Sequence, residues 1–299
     1  MAKSVTKVIA CGFISLIYCL LSACDTSVDA EAHLIDSPIL VLGKSGDEFA
    51  QLNGLDLKQN VNRQPAGLNF YERDFKDGNR PTARFKHGKY SFDIPFLLGF
   101  MGTENMDYPK RGIINISANW SFAKKPEKIN NEEAKNRLLQ FMRHLLSLGW
   151  RQVHYLDDPR LLGEESWQYK LNNYHGYQSD ITVTPTLETW LKLNTTRTTW
   201  RFYAEGVFIE VGFMRNSRIS ADDPMGEYLL VFSAYTQDEF ARKQFAGKDR
   251  ERWQELWVEE IKDSKRMRYK EEAELEALGY TINTEYQDPK IHPADPVEP

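Results

Sequence analysis

Cysteine is nearly absent from this sequence, and its few copies stand at the beginning. The chain of 299 residues has 3 cysteines, Cys11, Cys19 and Cys24. The rest of the chain can therefore form no disulfide bond, supply no cysteine nucleophile and offer no thiolate to a metal ion. Its stability must come from packing, for which 16 Phe, 14 Tyr and 7 Trp provide large apolar side chains.

Familiar catalytic and metal-binding motifs are also missing. The sequence has no His-Glu-x-x-His or His-x-His spacing, no Gly-x-Ser-x-Gly elbow, no Walker A loop and no dinucleotide fingerprint. His144 and His154 fall on a predicted helix and the strand after it, where a packed or surface pair is favoured over a site. The sequence therefore predicts a protein that is not an enzyme and that has no cofactor and no metal site. The histidines are His33, His87, His144, His154, His175 and His292.

An excess of basic residues is lacking as well. Lys and Arg number 38 against 43 Asp and Glu, for a net charge of −5. This balance argues against a nucleic-acid partner, because binding to phosphates needs basic surface. It also argues against electrostatic adhesion to anionic lipid.

The first residues have the pattern of a secretory signal peptide. Lys3 and Lys7 precede an apolar run from Val8 to Leu21, and small residues follow it. The run is shorter than the roughly 20 residues that a membrane-spanning helix needs. The alternatives are an uncleaved membrane anchor or a signal peptide cleaved at another position.

The segment Leu21-Ser22-Ala23-Cys24 resembles the lipobox of bacterial lipoproteins. The resemblance implies that residues 1–23 are removed, that Cys24 is acylated, and that the chain is anchored in a lipid bilayer facing the periplasm of the bacterial cell envelope. Asp25 directly after the cysteine implies retention in the inner rather than the outer membrane. Residues 24–36 are polar and are expected to be a tether.

The remaining pattern predicts an α+β body over residues 37–286, with a mostly antiparallel sheet and helices on one face. Strands are expected at 39–42, 85–96, 113–122, 150–156, 200–213, 228–235 and 280–286, and the segment 200–213 is expected to form a hairpin with a tight turn at Glu205-Gly206. Helices are expected after Asn130 or Asn131, ending at Gly149, and over 237–278 with a break at Gly247. Residues 44–82 and 97–111 are expected to be loops, apart from one short strand near 68–71. The proline-rich residues 287–299 are expected to be a disordered tail.

Two segments share the order strand, strand, helix, strand. They are 85–156 and 200–286, and each turns after its helix at Leu-Gly followed by an aromatic residue. This order predicts two related ββαβ halves. Helix–glycine–strand junctions are common, so independent origin of the two segments is the alternative.

The connector over 157–180 combines acidic and aromatic residues, and rigid aromatics among polar groups are typical of protein interfaces. The alternative is a loop that closes over the core. The paired acids could also serve a glycosidase, although adjacent acids on a loop are more often solvated. The predicted partner interface consists of Asp157, Asp158, Glu164, Glu165, Trp167, Tyr169, Tyr174, His175 and Tyr177.

An acidic lipoprotein without catalytic motifs resembles in design the immunity proteins that guard bacteria against toxins delivered into the envelope by contact-dependent or type VI secretion. The leading hypothesis is a membrane-anchored binding protein of this kind, whose partner is a toxin or another envelope protein. The alternatives are an envelope assembly or scaffold lipoprotein, and a hydrolase that uses acids and histidines scattered in the sequence.

Overall fold

Alternating apolar side chains build the strands of a large antiparallel sheet. The computed structural model describes residues 37–173, 176–193, 198–220, 222–293 and 295. Its strands are β1 (Ile39–Leu40), β2 (Val61–Arg63), β3 (Leu68–Asp74), β4 (Ala83–Phe85), β5 (Phe92–Ile94), β6 (Leu97–Asn105), β7 (Ile113–Trp120), β8 (Ile129–Asn130), β9 (Arg151–Gln152), β10 (Thr198–Ala204), β11 (Val207–Arg215), β12 (Met225–Gly226) and β13 (Tyr228–Thr236). Its helices are α1 (Gly46–Leu52), α2 (Asn131–Ser147), α3 (Gly163–Asn172), α4 (Leu187–Lys192), α5 (Gln237–Arg242) and α6 (Trp253–Ala277).

Eight strands form the main sheet in the order β2-β3-β6-β7-β13-β11-β10-β9, and every pairing in it is antiparallel. A smaller sheet pairs β4 with β1 in parallel and with β5 antiparallel. The short strands β8 and β12 form a third, two-stranded sheet. The α+β class with a mostly antiparallel sheet, predicted from the sequence, is confirmed.

The β10–β11 hairpin shows how local sequence determines the register. Glu205 and Gly206 both have positive φ, 35° and 81°, as the tight turn of a hairpin requires. The turn pairs Ala204 with Val207, and alternation then places Val207 and Ile209 in the main core. The hairpin predicted at Glu205-Gly206 is therefore confirmed.

Helices cover both faces of the main sheet rather than the one face predicted. On the face that carries Phe213, the Trp190 ring from α4 stacks at a centroid distance of 4.4 Å. On the opposite face, Phe208 from β11 stacks against Phe240 from α5 at 3.8 Å. The reason is that β10 and β11 are apolar on both faces at this end of the sheet, so both faces need cover.

The helix α2 forms as its sequence predicts. The Asn130 side chain accepts hydrogen bonds from the backbone N–H groups of Glu132 and Glu133, which caps the first turn. The helix ends just before Gly149, whose φ is 95°. Burying one large apolar side chain of such a stripe contributes about 1.5–3 kcal/mol. The buried apolar residues of α2 are Ala134, Leu138, Leu139, Met142 and Leu145.

Several boundaries differ from the prediction. The strand expected over 85–96 is interrupted, because β4 and β5 are joined by a turn in which the Tyr90 amide donates to the carbonyl of His87. The loop expected over 97–111 begins with the nine-residue strand β6, and the loop expected over 44–82 contains α1. Ser45 and Glu48 form a capping box at the start of α1, a signal that is present in the sequence.

The last strand of the second predicted half is also absent from the described residues. Residues 280–286 contain one isolated bridge, between Leu161 and Ile282. Their backbone bonds instead to the connector, as in the 2.6 Å hydrogen bond from Asn283 N to the Arg160 carbonyl. Residues 200–286 thus lack the final strand of the ββαβ order.

Residues 287–293 and Asp295, predicted to be disordered, are packed against α6. Asp295 Oδ1 accepts a 2.8 Å hydrogen bond from Trp257 Nε1, and its Oδ2 accepts from the backbone amides of Ile291 and His292. The prolines of this segment limit its regular structure but leave these side-chain and backbone bonds possible. We call residues 286–293 together with Asp295 the C-terminal strap.

Candidate functional site

The structure places most aromatic members of the predicted interface in the core. Trp167 on α3 lies against Trp200 at a centroid distance of 5.7 Å, and Tyr169 contacts Tyr177 at 4.7 Å. All of these rings, and Asp158 as well, are buried. They hold the connector on the body and are not available to a partner, which corrects the predicted interface.

The acidic members have a different position. Asp157 and Glu164 are exposed, and Glu165 is half-buried. Tyr174, His175, Cys24 and Asp25 lie outside the described residues, so the predicted lipidation and sorting positions stay predictions. Of the four acids in the predicted interface, the structure therefore keeps Asp157 and Glu164 at the surface, with Glu165 only partly accessible.

The buried stripe of α6 changes from apolar to charged along its length. Its N-terminal half buries Trp253, Trp257 and Ile261, as an amphipathic helix should. Its C-terminal half buries Lys265, Arg268 and Glu272. Charged residues are rarely buried unless they are paired, so this half of α6 must meet opposite charges.

The first such pair joins the connector to α6. Arg160 Nε and Nη2 each donate a 2.8 Å hydrogen bond to Glu272, one to Oε1 and the other to Oε2. The backbone amide of Arg160 adds a 2.9 Å bond to Glu272 Oε1. A planar guanidinium matches a carboxylate in this bidentate way, which fixes the position of residue 160 on α6.

The second pair joins the C-terminal strap to α6. Arg268, with 0% of its surface exposed, donates from Nη1 to Asp288 Oδ2 at 2.8 Å and from Nη2 to the Tyr155 carbonyl at 2.6 Å. Lys265 Nζ lies 3.6 Å from the same carboxylate oxygen.

The third pair lies across β10 and β11, where Arg201 and Glu210 are directly opposite. We call the pairs Arg160–Glu272, Arg268/Lys265–Asp288 and Arg201–Glu210 the ion network.

Burial in this region lowers the pKa of two basic groups. Burial, followed by the charges of Arg268, Arg160 and Arg201, lowers the pKa of His154 to about 3. Burial lowers the pKa of the Lys170 ammonium group to about 7, against an opposing effect of the Asp158 carboxylate. Both groups therefore bind a proton less readily in the folded protein than in an unfolded chain.

These positions do not favour the hydrolase hypothesis. His144 is exposed on α2 and contacts Ser147, whereas His154 packs against Tyr286 at a centroid distance of 4.9 Å. A general base works best with a pKa near the working pH, which His154 lacks. Within the described part of the chain, no group of three or more His, Cys, Asp or Glu side chains could hold a metal ion.

The C-terminal end of α6 and the start of α3 carry exposed and half-buried carboxylates side by side. Thr281, just beyond α6, donates its amide to Glu165 at 2.7 Å, and Tyr169 on α3 donates its hydroxyl to Glu271. The last turn of α6 has no basic residue. Carboxylates there oppose the helix dipole, and each costs about 0.3–1 kcal/mol. We call this region the acidic surface; its residues are Glu164, Glu165, Glu271, Glu274 and Glu276.

Two exposed leucines border the acidic surface. Leu162 precedes α3, and its amide donates to the Thr281 carbonyl at 3.4 Å. Leu278 follows α6 and is 75% exposed. Apolar side chains surrounded by charges are typical of protein contact regions.

The sequence could have indicated part of the ion network. Arg201 and Glu210 are equally spaced from the Glu205-Gly206 turn, so hairpin register alone pairs them. The partners of α6 could not be found in this way, because Arg160 and Asp288 lie on irregular segments on either side of it. Their pairing follows only from the tertiary fold.

Comparison of the chain with protein-family models, with curated proteins and with solved structures finds no match. Among the described residues, no helix is both long enough and apolar enough to cross a membrane.

Proposed function

We propose that the chain is a lipid-anchored protein of the bacterial inner membrane whose body faces the periplasm and binds another protein. In this proposal Cys24 is acylated, Asp25 keeps the protein in the inner membrane, and residues 24–36 connect the lipid to the body. The support is the lipobox resemblance of Leu21-Ser22-Ala23-Cys24. The first candidate for the partner is a toxin delivered into the envelope, which the body would bind and block.

The acidic surface is the observation that carries the binding proposal. Glu274 and Glu276 stand at the helix end where carboxylates weaken a helix, and among the described residues Glu274 meets only the exposed Lys270, whose Nζ lies 3.9 Å from its Oε1. A basic protein surface would neutralise them, and Leu278 would be buried in the same contact. The partner surface proposed is therefore basic with an apolar centre.

The ion network supports the same proposal through rigidity. The Arg160–Glu272 pair fixes the connector on α6, and the Tyr169–Glu271 hydrogen bond fixes α3 beside it. Both elements of the acidic surface are thus held before a partner arrives, which reduces the entropy lost on binding. Occlusion of a toxin's working surface by this rigid acidic surface is the proposed mechanism.

Affinity capture from native envelope with the full-length protein tests the binding proposal. The variant Glu164→Gln/Glu274→Gln/Glu276→Gln removes three charges from the acidic surface. We expect at least about 10-fold less captured partner, and weaker capture by the unchanged protein as salt rises. Glu251→Gln/Glu255→Gln/Glu259→Gln removes the same charge from exposed residues near the other end of α6 and should leave capture unchanged.

Equal capture by both triple variants would contradict the proposed surface, and no capture by the unchanged protein would contradict the binding function. The identity of the captured protein decides between the two candidate roles. A toxin, or the product of a neighbouring toxin or secretion gene, indicates immunity. A resident envelope protein indicates the assembly or scaffold role instead.

Metabolic labelling with a fatty acid tests the anchor. The unchanged protein should incorporate the label, and Cys24→Ser should not, because the lipobox cysteine is the acceptor. Label that persists in Cys24→Ser would rule out this anchor.

A further inference from the structure

A cavity of about 290 Å³ lies beside the ion network, enclosed by β10 and β11, α5, α6 and the C-terminal strap. One wall is the stacked pair Phe208 and Phe240. Trp257 from α6 and Ile291 from the strap are further apolar lining residues. The volume is just below the range of about 300–1,000 Å³ that is usual for ligand pockets, so a small molecule would fill it.

Arg201 is the charged lining residue whose bonding is incomplete. It is 2% exposed, and its guanidinium carbon lies 3.8 Å from the ring centroid of Tyr155 and 4.8 Å from that of Phe240. Nε and Nη2 both donate to Glu210 Oε1, at 3.3 and 2.8 Å. Its buried Nη1 has no hydrogen-bond partner among the described residues. Buried N–H groups are nearly always paired, and besides Glu210 the guanidinium interacts with aromatic side chains, chiefly that of Tyr155, so Nη1 is open to a further acceptor.

The charges around the cavity favour an anionic acceptor. Arg160, Arg201 and Arg268 are the charged groups that act on His154, another lining residue, and all three disfavour a positive charge there. Asp288 already accepts from Arg268. The remaining acids, Asp157 and Glu260, are exposed and screened by solvent. The interior of the cavity is thus a better place for an anion than for a cation.

We propose that this cavity binds a small carboxylic acid with a flat apolar body. The carboxylate accepts a hydrogen bond from Arg201 Nη1, and the apolar body lies between Phe240, Trp257 and Ile291. A flat body suits aromatic walls better than a branched one. Because Pro289 and Ile291 line the cavity, the bound acid also contacts the C-terminal strap. The site is separate from the acidic surface, and only the use of the mature chain in lipid nanodiscs for its test rests on the proposed function.

A second groove provides an internal control. It has a volume of about 480 Å³ and is lined by Arg80 and Arg215 together with Ser217, Glu127 and Glu227. Each of these arginines also has a buried Nε without a hydrogen-bond partner among the described residues, but their terminal nitrogens already donate to backbone carbonyls, unlike Arg201 Nη1. An acid would therefore form fewer new hydrogen bonds to arginine in this groove than beside Arg201.

The test is a titration of the full mature chain in lipid nanodiscs, followed by saturation-transfer NMR with empty nanodiscs as the blank. The probes are benzoate and indole-3-acetate, compared with benzamide and tryptamine. We expect saturable binding of at least one acid with a dissociation constant of about 10 µM to 1 mM, and at least 10-fold weaker binding of the amide and the amine. The proposal would be overturned if neither acid bound with a dissociation constant below about 5 mM. It would also be overturned if the amide or the amine bound as tightly as the acids.

Three variants locate the bound acid. Ser264→Leu fills the cavity without changing any charge and should abolish binding, whereas Ser217→Leu adds the same bulk to the second groove and should leave it intact. Arg201→Lys keeps the positive charge opposite Glu210 but removes Nη1, and should weaken binding at least 10-fold. Binding that survives Ser264→Leu, or that is lost in Ser217→Leu, would overturn the location.

Discussion

The Arg160–Glu272 pair allows a quantitative test of the ion network. In Glu272→Met the guanidinium of Arg160 stays buried but loses its carboxylate, a change that costs about 3–5 kcal/mol in comparable buried pairs. That loss is a large part of the roughly 5–15 kcal/mol that stabilises a typical domain. Arg160→Met should cost a similar amount, because it leaves the Glu272 carboxylate buried at the same place.

The double variant Arg160→Met/Glu272→Met should be more stable than either single variant. No charge is left unpaired in it, and apolar side chains of similar volume often replace a buried pair at little cost. One loss remains, because the backbone amide of residue 160 no longer has the Glu272 oxygen that it bonds at 2.9 Å. An unsatisfied buried N–H costs about 1–3 kcal/mol, which is therefore the expected destabilisation of the double variant.

Urea unfolding at pH 7, followed by tryptophan fluorescence, measures all four free energies of unfolding in the cycle. The double variant should be destabilised by at least about 2 kcal/mol less than the sum of the single variants. A cost below about 1 kcal/mol for Glu272→Met would show that the pair is solvated and would refute the reasoning. Additive costs would refute it as well.

Three more predictions follow from groups around the network. The pKa of Lys170 is about 7 in the folded chain and 10.5 ordinarily, so between these pH values the unfolded chain binds more protons than the folded chain. The free energy of unfolding should therefore rise with pH from about 7 to 10. Lys170→Met should remove that rise when urea unfolding is measured at a series of pH values. The pKa of His154 is about 3 in the folded chain and 6.5 ordinarily, so the stability that depends on its neutral ring should fall as the pH drops from 6.5 towards 3. NMR titration should show a neutral ring at pH 5, and a charged ring at that pH would contradict the prediction. Asp295→Ala removes the acceptor of Trp257 Nε1 and of the Ile291 amide, so hydrogen exchange should accelerate in the C-terminal strap but not in β11; uniform acceleration would show global destabilisation instead.

Elements whose partners are close in sequence were predictable. The α2 cap at Asn130 and the turn at Glu205-Gly206 depend on contacts within a few residues, and both formed as expected. The strand β6 was hidden by its glycines, which lower strand propensity. Gly102 is required by a distant residue, because an added Cβ would lie 2.8 Å from the ring of Phe49. A requirement set by a distant side chain has no local signature.

The connector shows the same limit for the candidate site. An aromatic residue at an interface and one in the core have the same composition, so Trp167 and Tyr177 were assigned to the wrong environment. Glu164 is exposed, whereas Glu165 is half-buried and accepts a hydrogen bond from the Thr281 amide. The charged stripe of α6 broke the hydrophobic period that normally identifies a buried face, and only the folded positions of Arg160 and Asp288 account for it.

Asp288 follows every other member of the ion network in the chain, and this order has a consequence for biosynthesis. During vectorial synthesis the earlier segments emerge first, so Arg268 and Lys265 must wait in solvent until residue 288 appears. The sheet and α6 can meet before then, but closing them would bury both cations without the Asp288 carboxylate. The protein is thus expected to remain partly open until its last acidic anchor arrives, and a chain truncated after residue 287 should present a protease-sensitive α6.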